Sequence, residues 1–151
     1  MVKDMKMDDC LALLARNYIG RLGYIYGQSP FILPITFHHD PNEKCIISYS
    51  AEGHKLHAMR QYNVVSFQVD EITSIQNWKS VFIQGRYEEI KGSSTKLYLN
   101  RFAEGVRNSF KMRKEEPPAF IKDFSSKLED RGVPTVYKIS TDFISGKFRT
   151  S

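Results

Sequence analysis

A chain of 151 residues with 41% hydrophobic, 13% aromatic and 26% charged residues has the size and composition of one packed domain, which excludes disordered and fibrous classes. A formal net charge of +5 favours anionic partners, yet the cations are dispersed along the chain, so a nucleic-acid arm is not indicated. Cys10 and Cys45 form no CxxC or CxxH pair, and neither a zinc site nor a redox dithiol is suggested.

The first nine residues lack the apolar run of a signal peptide and no later stretch reaches membrane-spanning length, so a soluble, cytoplasmic protein is expected. Asp8 or Asp9 is placed to cap a short helix carrying Cys10, Leu11, Leu13 and Leu14, with Gly20 at its exit. Residues 22–26, a turn at 27–30 and residues 31–39 predict a hairpin. The turn-rich 40–43 leads to a third strand ending in Ser48, Tyr49 and Ser50. After Ala51-Glu52-Gly53, residues 54–60 predict a two-turn helix with Leu56 and Met59 toward the core.

Val65, Phe67 and Val69 alternate with polar residues, and 78–89 repeats that pattern with Val81, Ile83 and Tyr87 on one face and Gly85 at a bend or bulge. Residues 93–114 fit an amphipathic helix through Leu97, Leu99, Phe102, Val106 and Phe110, interrupted in propensity by Gly105. The basic cluster Arg107, Lys111, Arg113 and Lys114 then reads as a solvated helix end. A helical segment around 120–128 and strands over 135–140 and 143–148 follow. The whole reads as mainly β (α+β): one domain, a small barrel of six to seven antiparallel strands with peripheral helices, closed on itself.

Three places carry candidate chemistry. In 48–55, a strand ending in Ser48 and Ser50, a glycine, and a helix start beside Lys55 supply the parts of a phosphate site; a plain helix cap by Ser50 explains the same residues. Pro34 interrupts a ladder and exposes the backbone of Ile35 and Thr36 to a planar heterocycle, or simply marks an edge strand. Trp78, Lys79 and Ser80 offer a ring, a cation and a hydroxyl, with core packing the competing role for Trp78. His38, His39, His54 and His57 do not form a metal set, and no Walker loop, GxGxxG or Ser/His/Asp arrangement is present.

In order along the chain, Gly20-Arg21-Leu22-Gly23, Leu33-Pro34-Ile35-Thr36-Phe37, Ser50-Ala51-Glu52-Gly53-His54-Lys55-Leu56, Val64-Val65-Ser66-Phe67 and Trp78-Lys79-Ser80-Val81 resemble the pyridoxamine 5′-phosphate oxidase-like flavin-binding split barrels, nearest to the nitroimidazole-resistance flavoproteins. The resemblance implies a split barrel, a homodimer with flavin mononucleotide (FMN) at its interface, and site residues by position. Leu33, Pro34, Ile35 and Thr36 would line the ring. Ser50, His54 and Lys55 would hold the phosphate, Trp78, Ser80 and Val81 would touch the flavin, and Ser48 and Tyr49 complete the cofactor-binding set. It further implies an oxidoreductase that takes electrons from NADH or NADPH and passes them to a small acceptor such as a nitroaromatic or quinone. Alternatives are a non-catalytic flavin-binding module and a haem-binding barrel using His54 or His57. Tyr49 stands where relatives carry His and is the candidate catalytic group. The Arg-Leu-x-Pro ending of true pyridoxamine phosphate oxidases is absent, so vitamin B6 oxidation is not implied.

Overall fold

The computed structural model describes residues 1–118 and 134–151, and the helix expected around 120–128 lies outside them. Nine strands occur among the described residues, more than expected, because two short pieces, β1 (Lys3–Asp4) and β4 (His38–Asp40), are recruited by longer neighbours. β2 (Ile19–Tyr26) and β3 (Ser29–Thr36) form the first hairpin, with Gly27 at a positive φ of 65° in a two-residue turn. β5 (Cys45–Ser50), β6 (Val64–Ser74), β7 (Asn77–Ile90), β8 (Thr135–Ser140) and β9 (Phe143–Arg149) complete the set. The hydrogen-bonded order is β3-β2-β6-β7-β8-β5-β4, with β9 paired to β7 and β1 to β9.

One strand joins the two halves. β7 pairs with β9 from Trp78 to Gln84 and with β8 from Tyr87 to Ile90, so it changes partner at Gly85 and Arg86. The reason for glycine is steric: a Cβ at Gly85 would lie 1.6 Å from the Ser140 carbonyl oxygen. A bend or bulge is expected at Gly85, but the β6–β7 register shows no bulge there; its one shift lies in β6, between Ile72 and Ser74.

The barrel does not close through a ladder. β3 and β4 are adjacent in sequence yet lie at opposite ends of the strand order, and the strand expected over 31–39 breaks at Phe37. The Phe37 N–H donates to Tyr18 O at 2.9 Å as the last link to β2, and β4 then pairs with β5. Side-chain alternation runs through the break, since Ile35, Phe37 and His39 are all buried. The inner face is therefore continuous while the ladder partner changes, which leaves β3 with a free edge among the described residues.

Parity fixes what that edge offers. The two-residue turn makes Tyr26 and Ser29 a hydrogen-bonded pair, so odd-numbered β3 residues direct their backbone groups at β2 and even-numbered ones point them outward. Pro30 and Pro34 are both even, where a missing N–H costs no ladder bond. The ladder is thus uninterrupted at Pro34. Ile35 spends its backbone on Gly20, and only Thr36 of the expected pair faces the free edge.

Burial drives the assembly. One core cluster fills the barrel with Leu22, Phe37, Ile46, Phe67, Ile83 and Tyr137, and α1 (Met7–Ala15) adds Cys10, Leu13 and Leu14. A second cluster packs α3 (Ser94–Met112) through Leu99, Phe102 and Val106 onto Cys45, Ile47 and Val136, while Leu97 turns outward. α1 begins after Lys6, with Asp8 and Asp9 inside its first turn and no side-chain cap, so neither aspartate caps the helix as expected. α3 runs unbroken through Gly105 because the His38 ring occupies the space of a side chain there; a Cβ would meet its Nδ1 at 2.0 Å. Arg113, at the end of α3, pairs with Glu115 at 2.6 Å and lies over the Tyr18 ring, in keeping with a helix-end role for the basic cluster. No helix of the described residues is long and apolar enough to cross a membrane.

Candidate functional site

The end of β5 and the start of α2 (His54–Gln61) meet the free edge of β3. Ser48 is buried and its hydroxyl donates to Thr36 O at 2.8 Å, so one side-chain bond spans the seam that the ladder leaves open. Ser50 donates to Ala51 O at 2.7 Å and does not cap α2, which disposes of the helix-cap reading. Among the described residues no side chain caps this helix. The His57 N–H closes the first turn on Gly53 O at 3.1 Å, and the N–H groups of His54, Lys55 and Leu56 precede it.

Gly53 adopts an extended φ of 175°, which any residue can take, and a Cβ there would meet nothing within 4 Å among the described residues. Neither conformation nor the protein's own packing calls for glycine at this position. Lys55 beside it is half-buried and has neither hydrogen bond nor ion pair among the described residues; burial pushes its ammonium below the ordinary lysine value. A desolvated cation next to uncapped N–H donors is an arrangement that an anion completes.

His54 is turned elsewhere. Its Nδ1 lies 2.9 Å from the Tyr24 hydroxyl, and its ring meets Tyr26 and Phe31 edge-on at 4.9 Å. The imidazole is held by the hairpin, leaving the His54 backbone N–H for the helix start. His57 contacts Gln61 at 3.1 Å, and no metal-binding group of His, Cys, Asp and Glu occurs among the described residues.

The remaining expected contacts divide by face. Ile35 and Val81 are buried in the barrel cluster, and Leu33, partly buried, packs against it, so these side chains point toward the core. Pro34, Thr36, Trp78 and Ser80 lie on the outer face of the sheet formed by β3, β2, β6, β7 and β9, where Ser80 accepts from Gln68 Nε2 at 2.9 Å. Trp78 also borders a cleft of about 190 Å³ with Glu71, Lys79 and Arg149. Ile32, 70% exposed on this face, was missed; the alternation of 31–37 alone marks it as outward.

Tyr49 occupies the other face of β5 from Ser48 and Ser50. Its ring packs at 5.1 Å, nearly perpendicular, against Phe102 of α3, and burial pushes its phenol up. The register partner of Ser48 is Tyr137, whose hydroxyl is buried and makes no hydrogen bond among the described residues; burial pushes it up to about 12.

Three similarities bear on this arrangement. A curated relative, an uncharacterized protein of Rhizobium meliloti (strain 1021), is 35% identical over 89 residues, which cover 59% of this chain and 58% of that protein. The match therefore spans under two thirds of that relative. A solved FAD-binding protein from Mesorhizobium loti superposes with a TM-score of 0.75 at 24% identity, covering 100% of this chain and 98% of that one. A candidate 5-nitroimidazole antibiotic resistance protein from Bacteroides thetaiotaomicron VPI-5482 gives 0.69 at 12% identity over 98% of this chain and 87% of that one. These two share the split-barrel fold. The family model described as Pyridoxamine 5′-phosphate oxidase matches residues 6–147, and with the seam, the uncapped helix and the free edge in place, the chain belongs to the pyridoxamine 5′-phosphate oxidase family.

Proposed function

We propose that this protein binds FMN with its phosphate at the start of α2 and its ring against the free edge of β3. The observation that carries this reading is Lys55: among the described residues it is a half-buried cation without a partner, beside uncapped N–H groups and unfilled space at Gly53. The FAD-binding name of the Mesorhizobium loti neighbour supports a flavin, and membership of a family described as an oxidase supports redox chemistry. A bound flavin would supply two-electron transfer chemistry. The chain's own residues bind its phosphate, orient its ring and limit access of water. We assign it an oxidoreductase role, with NADH or NADPH as donor and a small nitroaromatic or quinone as acceptor.

A purified protein with the flavin absorption bands, releasing FMN on denaturation and turning over nicotinamide with an acceptor, is the expected result. A colourless protein that takes up no added flavin overturns the reading. A flavin-loaded protein without turnover makes it a binding module.

The outer sheet face supports a homodimer around this site. Ile32, Phe82 and Phe143 are 70%, 38% and 55% exposed, and the register Ile32–Gly23–Ser66–Gln84–Phe143 sets them on one surface with Pro34 and Trp78. A second copy of the chain covering that face would enclose the ring and bury the apolar side chains. Light scattering should give the mass of two chains, and Phe82→Glu should shift it to one; a wild-type monomer at micromolar concentration contradicts the assembly.

Gly53→Ala separates ligand space from folding. Stability should change by less than about 0.5 kcal/mol, because the methyl group meets nothing and the backbone is unstrained. FMN affinity should fall about tenfold, the scale of one displaced charge-assisted hydrogen bond. Unchanged affinity would remove Gly53 from the site.

A further inference from the structure

Glu52 lies in the turn between β5 and α2 that leads into the candidate phosphate site. It lies two residues after Ser50 and three before Lys55, and its Oε1 accepts from Thr135 Oγ1 at 3.1 Å. Thr135 is the cross-strand partner of Ser50. A phosphate arriving at Ser50, Lys55 and the α2 N–H groups therefore meets a like charge unless something neutralises it.

Arg60 does so, from one face of α2 to the turn before it. Its two terminal nitrogens donate to both Glu52 oxygens at 2.7 and 2.6 Å, and its Nε donates to Glu89 Oε1 at 2.7 Å. Glu89 is held in turn by the Tyr87 hydroxyl at 2.6 Å. The Arg60 guanidinium holds the Glu52 carboxyl down at about 2, so the pair stays ionised across the working pH range. The planar fork matters, because a point charge would not grip both oxygens of Glu52 and Glu89 together. As an exposed pair it adds little to stability, which leaves its geometry to be explained by what it holds.

We propose that Arg60 is a positioning and specificity residue: by clamping Glu52 and Glu89 it fixes the 51–53 turn and cancels the carboxylate beside the phosphate, so that the site prefers phosphorylated over unphosphorylated flavin. The inference rests on the flavin reading above and extends it to the selection of FMN against riboflavin. No contact between Arg60 and the cofactor is required.

The test titrates the flavin-free full chain with FMN and with riboflavin, following flavin fluorescence, for wild type, Arg60→Gln, Glu52→Gln/Arg60→Gln and Lys55→Ala. Arg60→Gln should weaken FMN about five- to tenfold, as expected for an uncovered charge several ångströms from a phosphate, and leave riboflavin within about twofold. The double variant should recover most of the FMN affinity, a rescue that loss of packing would not give. Equal weakening of both flavins, or no recovery in the double variant, overturns the clamp. If Lys55→Ala lowers the FMN-to-riboflavin preference while Arg60→Gln does not, the clamp alone falls. If Lys55→Ala leaves that preference unchanged, the phosphate site itself is misplaced and both readings fall.

Discussion

Replacing Lys55 by alanine is expected to raise the FMN dissociation constant about 30- to 100-fold, the equivalent of 2–3 kcal/mol for a charge-assisted contact in a partly desolvated site. The burial of Lys55 is what makes the effect large. A fully exposed lysine would be screened by salt, whereas this ammonium is already partly stripped of water and forms no ion pair among the described residues. Riboflavin affinity should change little, since the missing group is the one that recognises phosphate. The folded protein should be no less stable, because a desolvated, unpaired cation contributes nothing favourable to folding. Isothermal titration with both flavins and a thermal melt check all three statements, and a fall in FMN affinity under about threefold would leave Lys55 outside the site.

The largest stability loss should come from Gly85→Ala. A methyl group there would sit 1.6 Å from the Ser140 carbonyl oxygen, and the obstacle is backbone rather than the movable end of a side chain. Relief requires β7 and β8 to separate where β7 passes between its two partners, next to the Arg86 N–H donation to Ser140 Oγ at 3.0 Å. A cost of about 3 kcal/mol, or a melting temperature lower by about 6–12 °C, follows from overpacking a site that cannot relax. Gly23→Ala is the control, since its Cβ would meet Ser66 Cβ at 3.6 Å, an ordinary contact. That variant should fall within about 1 kcal/mol of wild type. Equal losses at the two positions would mean that the crossing is not specially tight.

Much of this was legible in the sequence because it is local. Alternation in 64–70 and 78–89, the hydroxyl-rich end of β5, and the Gly-His-Lys start of α2 each depend on a few consecutive residues. The break at Phe37 was not legible, because inward parity continues through it and only the distant ladder partner changes. The same limit applies to Gly85, whose crowding comes from Ser140, and to Glu89, which reaches Arg60 from another strand. Leu33 and Ile35 are a different case. Period-two alternation marks them as inward, and grouping them with Pro34 and Thr36 as one ligand surface overlooked it.

The free edge of β3 has one more consequence. Of its four outward-facing positions, 30, 32, 34 and 36, two are proline, so a foreign strand approaching in register finds half the expected donors missing. The carbonyls remain available, apart from that of Thr36, which Ser48 occupies. The edge thus discriminates by shape of partner: a flat ring bearing a few N–H groups can be accommodated, whereas another polypeptide cannot zip onto it. Exposure that in most proteins invites fibril growth is tolerated here because the prolines have made the strand sterile as a template for polymerisation.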